Sequence, residues 1–158
     1  MRQIIRRREI VADDACYATE ALQPGLRAVL PLAELTGALA ASSAAARAVL
    51  IGPTDELDGL VPYLGQLQLI VVDFPKVGEG RGFSQGRMLR QRHGYRGELR
   101  ARGALKRDQL FFLARCGFDS FDLDPSENLQ QSLAAFDTFT VAYQDGSDEL
   151  VHVRQREG

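Results

Sequence analysis

The sequence predicts an α/β fold: repeated βα units around a mainly parallel sheet, arranged as an open sheet or a partial (β/α) barrel. Strand-like and helix-like patterns alternate at least four times along the chain, with short connections between them. The run "AVLIG" is continuously apolar and ends at Gly-Pro, as a strand covered on both faces reads. Five such units are too few for a complete eight-fold barrel, which favours the open or partial form.

The elements follow in order. Residues 3–6 are a first strand candidate, and "DDACYATEALQPGL" is a polar, irregular run with a turn at Pro24-Gly25. "RAVLPL" is a short strand stopped at Pro31, and the Ala-rich segment after it is helical to about Ala40. After the strand 48–52, Thr54 or Asp55 caps a short helix with Leu57, Leu60, Val61 and Leu64 at helical spacing. "LQLIVVDF" is the strongest strand, closing on Asp73 and Pro75. A glycine-rich loop spans 78–82. Ser84 then caps a helix running to about His93, with Gly94 as its stop. "GELRARG" alternates as a strand does, "LKRDQLFFLARC" is a helix ended by Gly117, and "FDSFDL" is a short strand. Pro125 or Ser126 opens the last helix, and the tail carries an Asp-Gly turn and one weak strand.

At 158 residues, with 45% apolar and 25% charged side chains, the chain has the composition of one ordinary globular domain. Its core is expected over 25–143, with less regular ends at 1–24 and 144–158. No apolar run is long enough to span a membrane. The basic N-terminus lacks the apolar stretch of a signal peptide, so a cytoplasmic location is expected. Cys16 and Cys116 are isolated thiols, expected to stay free and far from any metal-binding or redox pattern. Neither a metal nor a cofactor is called for by any motif.

Charge is segregated. Residues 81–115 hold nine arginines and Lys106 against Glu98 and Asp108, while the whole chain carries a net charge of −2. Apolar residues interrupt the basic stretch at helix and strand periods. It therefore reads as a folded surface and not as a nucleic-acid-binding arm.

In parallel α/β domains, sites gather beyond the carboxyl ends of the strands. Asp73 is placed there, as the one nearby acid able to move a proton. The junction "GEGRGFSQGR" offers Arg81, Ser84 and Arg87 at a helix start, an arrangement suited to an anion. Arg100 and Arg102 are two apart on one strand and point the same way. Arg81, Ser84, Arg87, Arg100 and Arg102 therefore form the expected anion-binding set, converging on one rim. The helix carrying Asp108, Gln109, Phe111, Phe112 and Arg115 is broadly apolar, which fits either a core helix or a partner-docking surface.

The motifs "RGFS", "LRQRHGYRGELRARG" and "RDQLFFLARCGFDSF" resemble the DUF934 family of small bacterial proteins, commonly described as candidate oxidoreductases of sulfite reduction. Ala104 departs from that pattern, in which an acid follows the strand-end glycine. The positions matching the family's motifs that are expected to matter are Arg81, Ser84, Arg87, Glu98, Arg100, Asp108, Gln109 and Arg115. Taken with segregated charge and no recognisable redox group, the resemblance leads to the expectation of a non-catalytic accessory role, with sulfite reductase or another sulfur-assimilation enzyme as partner. The alternative is a small α/β enzyme or ligand-binding domain for sulfite, sulfate or a phosphate-containing anion at the strand C-terminal edge. A homodimer is compatible with the uncovered sheet edges.

Overall fold

The computed structural model describes residues 3–17, 27–41, 48–76 and 80–144. A hairpin comes first, of β1 (Gln3–Arg6) and β2 (Glu9–Ala12). Then follow β3 (Ala15–Tyr17), β4 (Arg27–Pro31), α1 (Leu32–Ala41) and β5 (Ala48–Ile51). β6 (Leu69–Phe74) leads to α2 (Arg81–Arg87), extended by a π turn over Met88–Arg92. β7 (Glu98–Gly103), α3 (Leu110–Arg115), β8 (Ser120–Asp122) and α4 (Leu129–Gln144) complete the chain. No helix among the described residues is long and apolar enough to cross a membrane.

All eight strands form one curled open sheet, a half-barrel, in the order β2-β1-β8-β7-β6-β5-β4-β3. From β3 to β8, each strand pairs in parallel with the next in sequence. β1 then joins β8 antiparallel. The two edge strands, β2 and β3, are consecutive in the chain and separated only by Asp13 and Asp14. A two-residue link cannot cross a flat eight-stranded sheet, whose strands lie about 4.8 Å apart. The sheet must therefore curl until its edges come near each other. Contacts across the concave side agree: the Arg102 guanidinium on β7 lies 3.8 Å over the ring of Tyr17 on β3.

The period-2 pattern of the strands divides the core by face. Val49, Ile51, Ile70, Val72, Phe74, Leu99, Ala101 and Phe121 face outward and pack under the helices with Leu35, Leu89, Leu110, Leu113 and Phe136. Ala15, Tyr17, Val29, Ala48, Leu69 and Val71 form a smaller apolar cluster on the concave side. β7 obeys the alternation with an unusual inner set: Glu98, Arg100 and Arg102 occupy the inward positions.

Several local expectations change. Helix α2 begins at Arg81 with Gly80 as its flanking residue, so Ser84 lies inside the helix and caps nothing. The segment expected to be a short helix over Leu57–Leu64 forms two 3₁₀ turns, Leu57–Gly59 and Val61–Gln66, punctuated by Gly59, Pro62 and Gly65. Asp55 instead folds back, accepting from the Gly52 N–H at 2.8 Å. β2 and β3 lie in sequence that gave no strand signal. The hairpin turn places Arg7 and Arg8 at φ of 50° and 66°, where the usual sequence marker would be Asn-Gly. The last helix starts at Leu129, with the Asn128 side chain accepting from Gln131 N–H at 2.9 Å. Gly94 and Gly117, at φ of 68° and 108°, end their helical segments as expected. Both cysteines are buried and neither forms a disulfide. The Pro24-Gly25 turn and the tail strand fall outside the described residues.

Gly86 lets α2 lie directly on Phe118, whose ring a Cβ at this position would strike. Helix propensity alone would favour alanine by about 1 kcal/mol. Overpacking against a buried ring costs roughly 1–3 kcal/mol and outweighs that gain. Gly86→Ala is therefore expected to lower the urea unfolding midpoint, by up to about 2 kcal/mol in net stability. Gly59→Ala, with nothing within 4 Å of the new Cβ, should leave the midpoint near wild type.

Candidate functional site

The concave side of the half-barrel is polar at both ends. At the end where the parallel strands begin, Arg100 is completely buried. Its guanidinium donates to Glu98 at 2.8 Å, to Asp13 at 3.1 Å, to Asp14 at 3.4 Å and to Ser120 Oγ at 3.1 Å. Arg6 bonds Asp14 at 2.9 Å and Glu98 at 3.2 Å, and Arg27 bonds Asp14 and Glu98 at 3.1 Å each. A cleft of about 370 Å³ opens here, lined by Arg6, Arg7, Asp14, Arg27, Glu98 and Asp119.

These charges are engaged with one another. Burial pushes the Asp14 carboxyl up, but the hydrogen bond and charge of Arg27, with Arg6 and Arg100, hold it at about 2. Burial likewise opposes ionisation of Glu98, and the Arg100 charge together with bonds from Arg100 and Ser120 still holds it below its ordinary value. Asp119 goes the other way: burial raises it despite the Leu99 N–H bonded to its carboxylate. In singly wound parallel barrels this end serves stability, and the dense pairing fits that assignment.

The opposite mouth, where the parallel strands end, is arranged differently. Asp73, Arg102 and Asp122 are register partners on β6, β7 and β8 and make one inward-facing row. Arg102 stacks on Tyr17, and its Nε lies 3.7 Å from Asp122 Oδ2. That Nε is buried without a hydrogen-bond partner, and so is the Tyr17 hydroxyl. Burial raises the Asp73 carboxyl, with the Arg102 charge opposing it only in part. Burial also pushes the Tyr17 phenol up to about 12, so it stays protonated at neutral pH. Among the described residues, no group of three or more His, Cys, Asp or Glu side chains is gathered as a metal site.

The five residues expected to hold an anion together do not share one surface. Arg81, Ser84 and Arg87 are exposed on α2, which packs against β6 in the outer helical layer, so the sheet separates them from the interior. Arg81 donates to Pro53 O at 3.4 Å and Arg87 to Cys116 Sγ at 3.6 Å. Arg100 and Arg102 do point the same way, but Arg100 belongs to the buried cluster and Arg102 to the mouth. The glycine-rich loop is described only at its end, 80–82. Burial raises the Cys116 thiol in spite of Arg87, as expected for a packed cysteine and not a nucleophile.

The expected partner-binding helix also divides. Gln109 is used locally: its Oε1 accepts from Lys106 N–H at 2.9 Å and caps the helical segment. Phe111 is half-buried against the core. Asp108, Phe112 and Arg115 face outward. Phe112 is 47% exposed, with its ring edge-to-face against Phe83 at 5.0 Å.

Asp13, Asp14, Arg6, Arg27 and Tyr17 were not legible as site residues. All but Arg27 lie on or beside the first three strands, and none carries a motif. The one available signal was the inward alternation of Glu98, Arg100 and Arg102.

Comparison with known families decides the kinship. Residues 48–153 match the model of DUF934, described as a bacterial protein of unknown function. The chain belongs to the DUF934 family. The matched region runs from β5 into the tail and includes Asp73, Arg102, Asp122 and the exposed Phe112. The first three strands, with Tyr17 and the Asp13-Asp14 link, precede it. A search of curated proteins found no significant match.

For the buried cluster, removing one partner leaves an uncompensated charge, at a cost of about 3–5 kcal/mol. Arg100→Met is therefore expected to destabilise the DUF934 chain by about that much in urea unfolding. Asp14 and Glu98 have depressed folded-state values. Their contribution is complete above the ordinary carboxylate range and is lost as pH falls through the folded values, toward about 2 for Asp14. Melting temperature should accordingly drop between roughly pH 4 and pH 2. Glu98→Gln should flatten part of that drop.

Proposed function

We propose that this DUF934 chain is a non-catalytic accessory protein of assimilatory sulfite reduction, docking a sulfur-assimilation enzyme on the outer face of α2 and α3. The observation that carries the docking is Phe112. A side chain of this size left 47% exposed forgoes part of the roughly 1.5–3 kcal/mol that full burial supplies. It is held in place by Phe83 at 5.0 Å and is presented to solvent as a preformed aromatic anchor.

Charge defines the partner. The same helical segments expose Arg81, Arg87, Arg107 and Arg115, with Asp108 as the one exposed acid over 81–87 and 107–115. Arginine around an aromatic anchor suits an acidic surface offering an apolar pocket. The sulfur assignment rests on the resemblance in "RGFS", "ELRARG" and "RDQLFFLARCGFDSF" to proteins described in sulfite reduction. The redox part of that description finds no dinucleotide fingerprint or cysteine set in this sequence, which favours an accessory role.

The test is capture from bacteria grown on sulfate as sole sulfur source, with bound proteins identified by mass spectrometry. Sulfite reductase or another enzyme of sulfate assimilation is expected on the wild-type chain. Phe112→Ser and Arg115→Glu should each reduce that capture at least tenfold while melting within a few degrees of wild type. Two outcomes overturn the reading: recovery of no such enzyme, or equal recovery on Phe112→Ser. A wild-type dimer in solution that Phe112→Ser dissociates would assign the face to self-association instead.

A further inference from the structure

We infer that the mouth of the half-barrel, between Tyr17, Arg102, Asp73 and Asp122, is a binding site for a small oxyanion, which enters together with a proton. The inference stands apart from the docking face, since its residues lie on the concave side of the sheet and Phe112 on the outer helical layer.

Two buried polar atoms mark the site. Tyr17 is 2% exposed, and its hydroxyl lies near the Arg100 and Arg102 guanidinium groups without a well-aligned hydrogen bond to either. Arg102 Nε is also buried and unbonded, with only a long 3.7 Å approach to Asp122. Native interiors rarely leave such atoms unmatched, and two of them beside one another at an open mouth suit a bound ion or water. An arginine N–H can only donate, so the missing group is an acceptor. The Tyr17 phenol, kept protonated by burial, offers a second donor beside it. Contact with the face of the Tyr17 ring, 3.8 Å from Arg102 Cζ to the ring centre, holds the guanidinium in place. The Arg102 side chain keeps 25% exposure, so a ligand can reach it from solvent.

Charge sets the stoichiometry. Asp122, 3% exposed in its side chain, balances Arg102. Asp73, the register partner of Arg102 on β6, is then the charge left over. Ionised, it repels an anion at the mouth. Protonated, it becomes a third donor. Charged residues on the elements packed against β6 are Glu98, Arg100 and Arg102 on β7 and Arg81 and Arg87 on α2, with Asp55 following β5. Of these, Arg102 is the one that opposes the upward push of burial on Asp73. Asp55 is engaged with Gly52 N–H and Arg81 with Pro53 O. Binding should therefore draw a proton onto Asp73 and weaken as pH rises.

The experiment is isothermal titration of the full chain with nitrate, sulfate and sulfite at pH 5.5, 6.5 and 7.5, at constant ionic strength in sodium chloride. Nitrate and sulfate do not titrate in this range, so any pH dependence belongs to the protein. At least one anion is expected to bind, with affinity falling by up to about tenfold per pH unit once Asp73 ionises. Asp73→Asn should remove that dependence. Tyr17→Phe, which keeps the ring under Arg102, should weaken binding about fivefold, the worth of one hydrogen bond of about 1 kcal/mol. Phe112→Ser should bind as wild type does. The proposal is overturned if none of the three anions binds at pH 5.5, which would leave ordered water as the occupant. It also fails if Tyr17→Phe binds as tightly as wild type, or if Asp73→Asn keeps the pH dependence.

Discussion

A guanidinium with no solvent access sits inside the half-barrel, and much of the architecture answers to it. Arg100 needs carboxylates within reach. One comes from its own strand as Glu98, and two come from the Asp13-Asp14 link that joins the edges of the sheet. Meeting that requirement fixes the curl of the sheet, because the link must stand beside β7 although β3 and β7 are separated by three strands. Buried ion pairs seldom exceed a well-packed apolar core in stability. What this one supplies is position: a single arrangement in which every member is bonded.

The outer layer is held by closeness of backbone. Gly82 and Gly86 let α2 lie against Phe74 and Phe118, where a side chain would collide. Arg90, in the π turn, donates to Gly117 O at 2.9 Å, Tyr95 O at 2.9 Å and Gly97 O at 2.8 Å. It thereby fastens the helical layer to the segments that lead into β7 and β8. Arg90 and Arg100 are thus taken up by contacts within the fold, and the basic segment contributes to two layers with different tasks. Its outward members shape a surface, and its inward members fill the barrel.

Pairing distinguishes the two ends of the interior. Where the parallel strands begin, the charges neutralise one another and the carboxylates of Asp14 and Glu98 are driven toward ionisation. Where they end, one guanidinium faces two carboxylates, and burial drives Asp73 toward neutrality. Opposite electrostatic pressure on carboxylates of one interior follows from how many guanidinium groups face each. It divides the concave surface into a stabilising end and a receptive end.

The sequence by itself determined the α/β class, the parallel strands from β4 onward, three of the four helices within a few residues, and the shared direction of Arg100 and Arg102. These follow from local periodicity and from glycine and proline punctuation, which each segment carries on its own. It also carried the motifs that match DUF934. Tertiary structure alone decided that "ELRAR" turns its charged face inward, that Tyr17 and the Asp13-Asp14 link complete the interior, and that Arg81, Ser84 and Arg87 lie on the other side of the sheet from it. Alternation says which residues share a face, but only the closure of the sheet says which face is inside. Short strands such as Ala15–Tyr17 gain their stability from neighbours far along the chain, and a local pattern cannot record them.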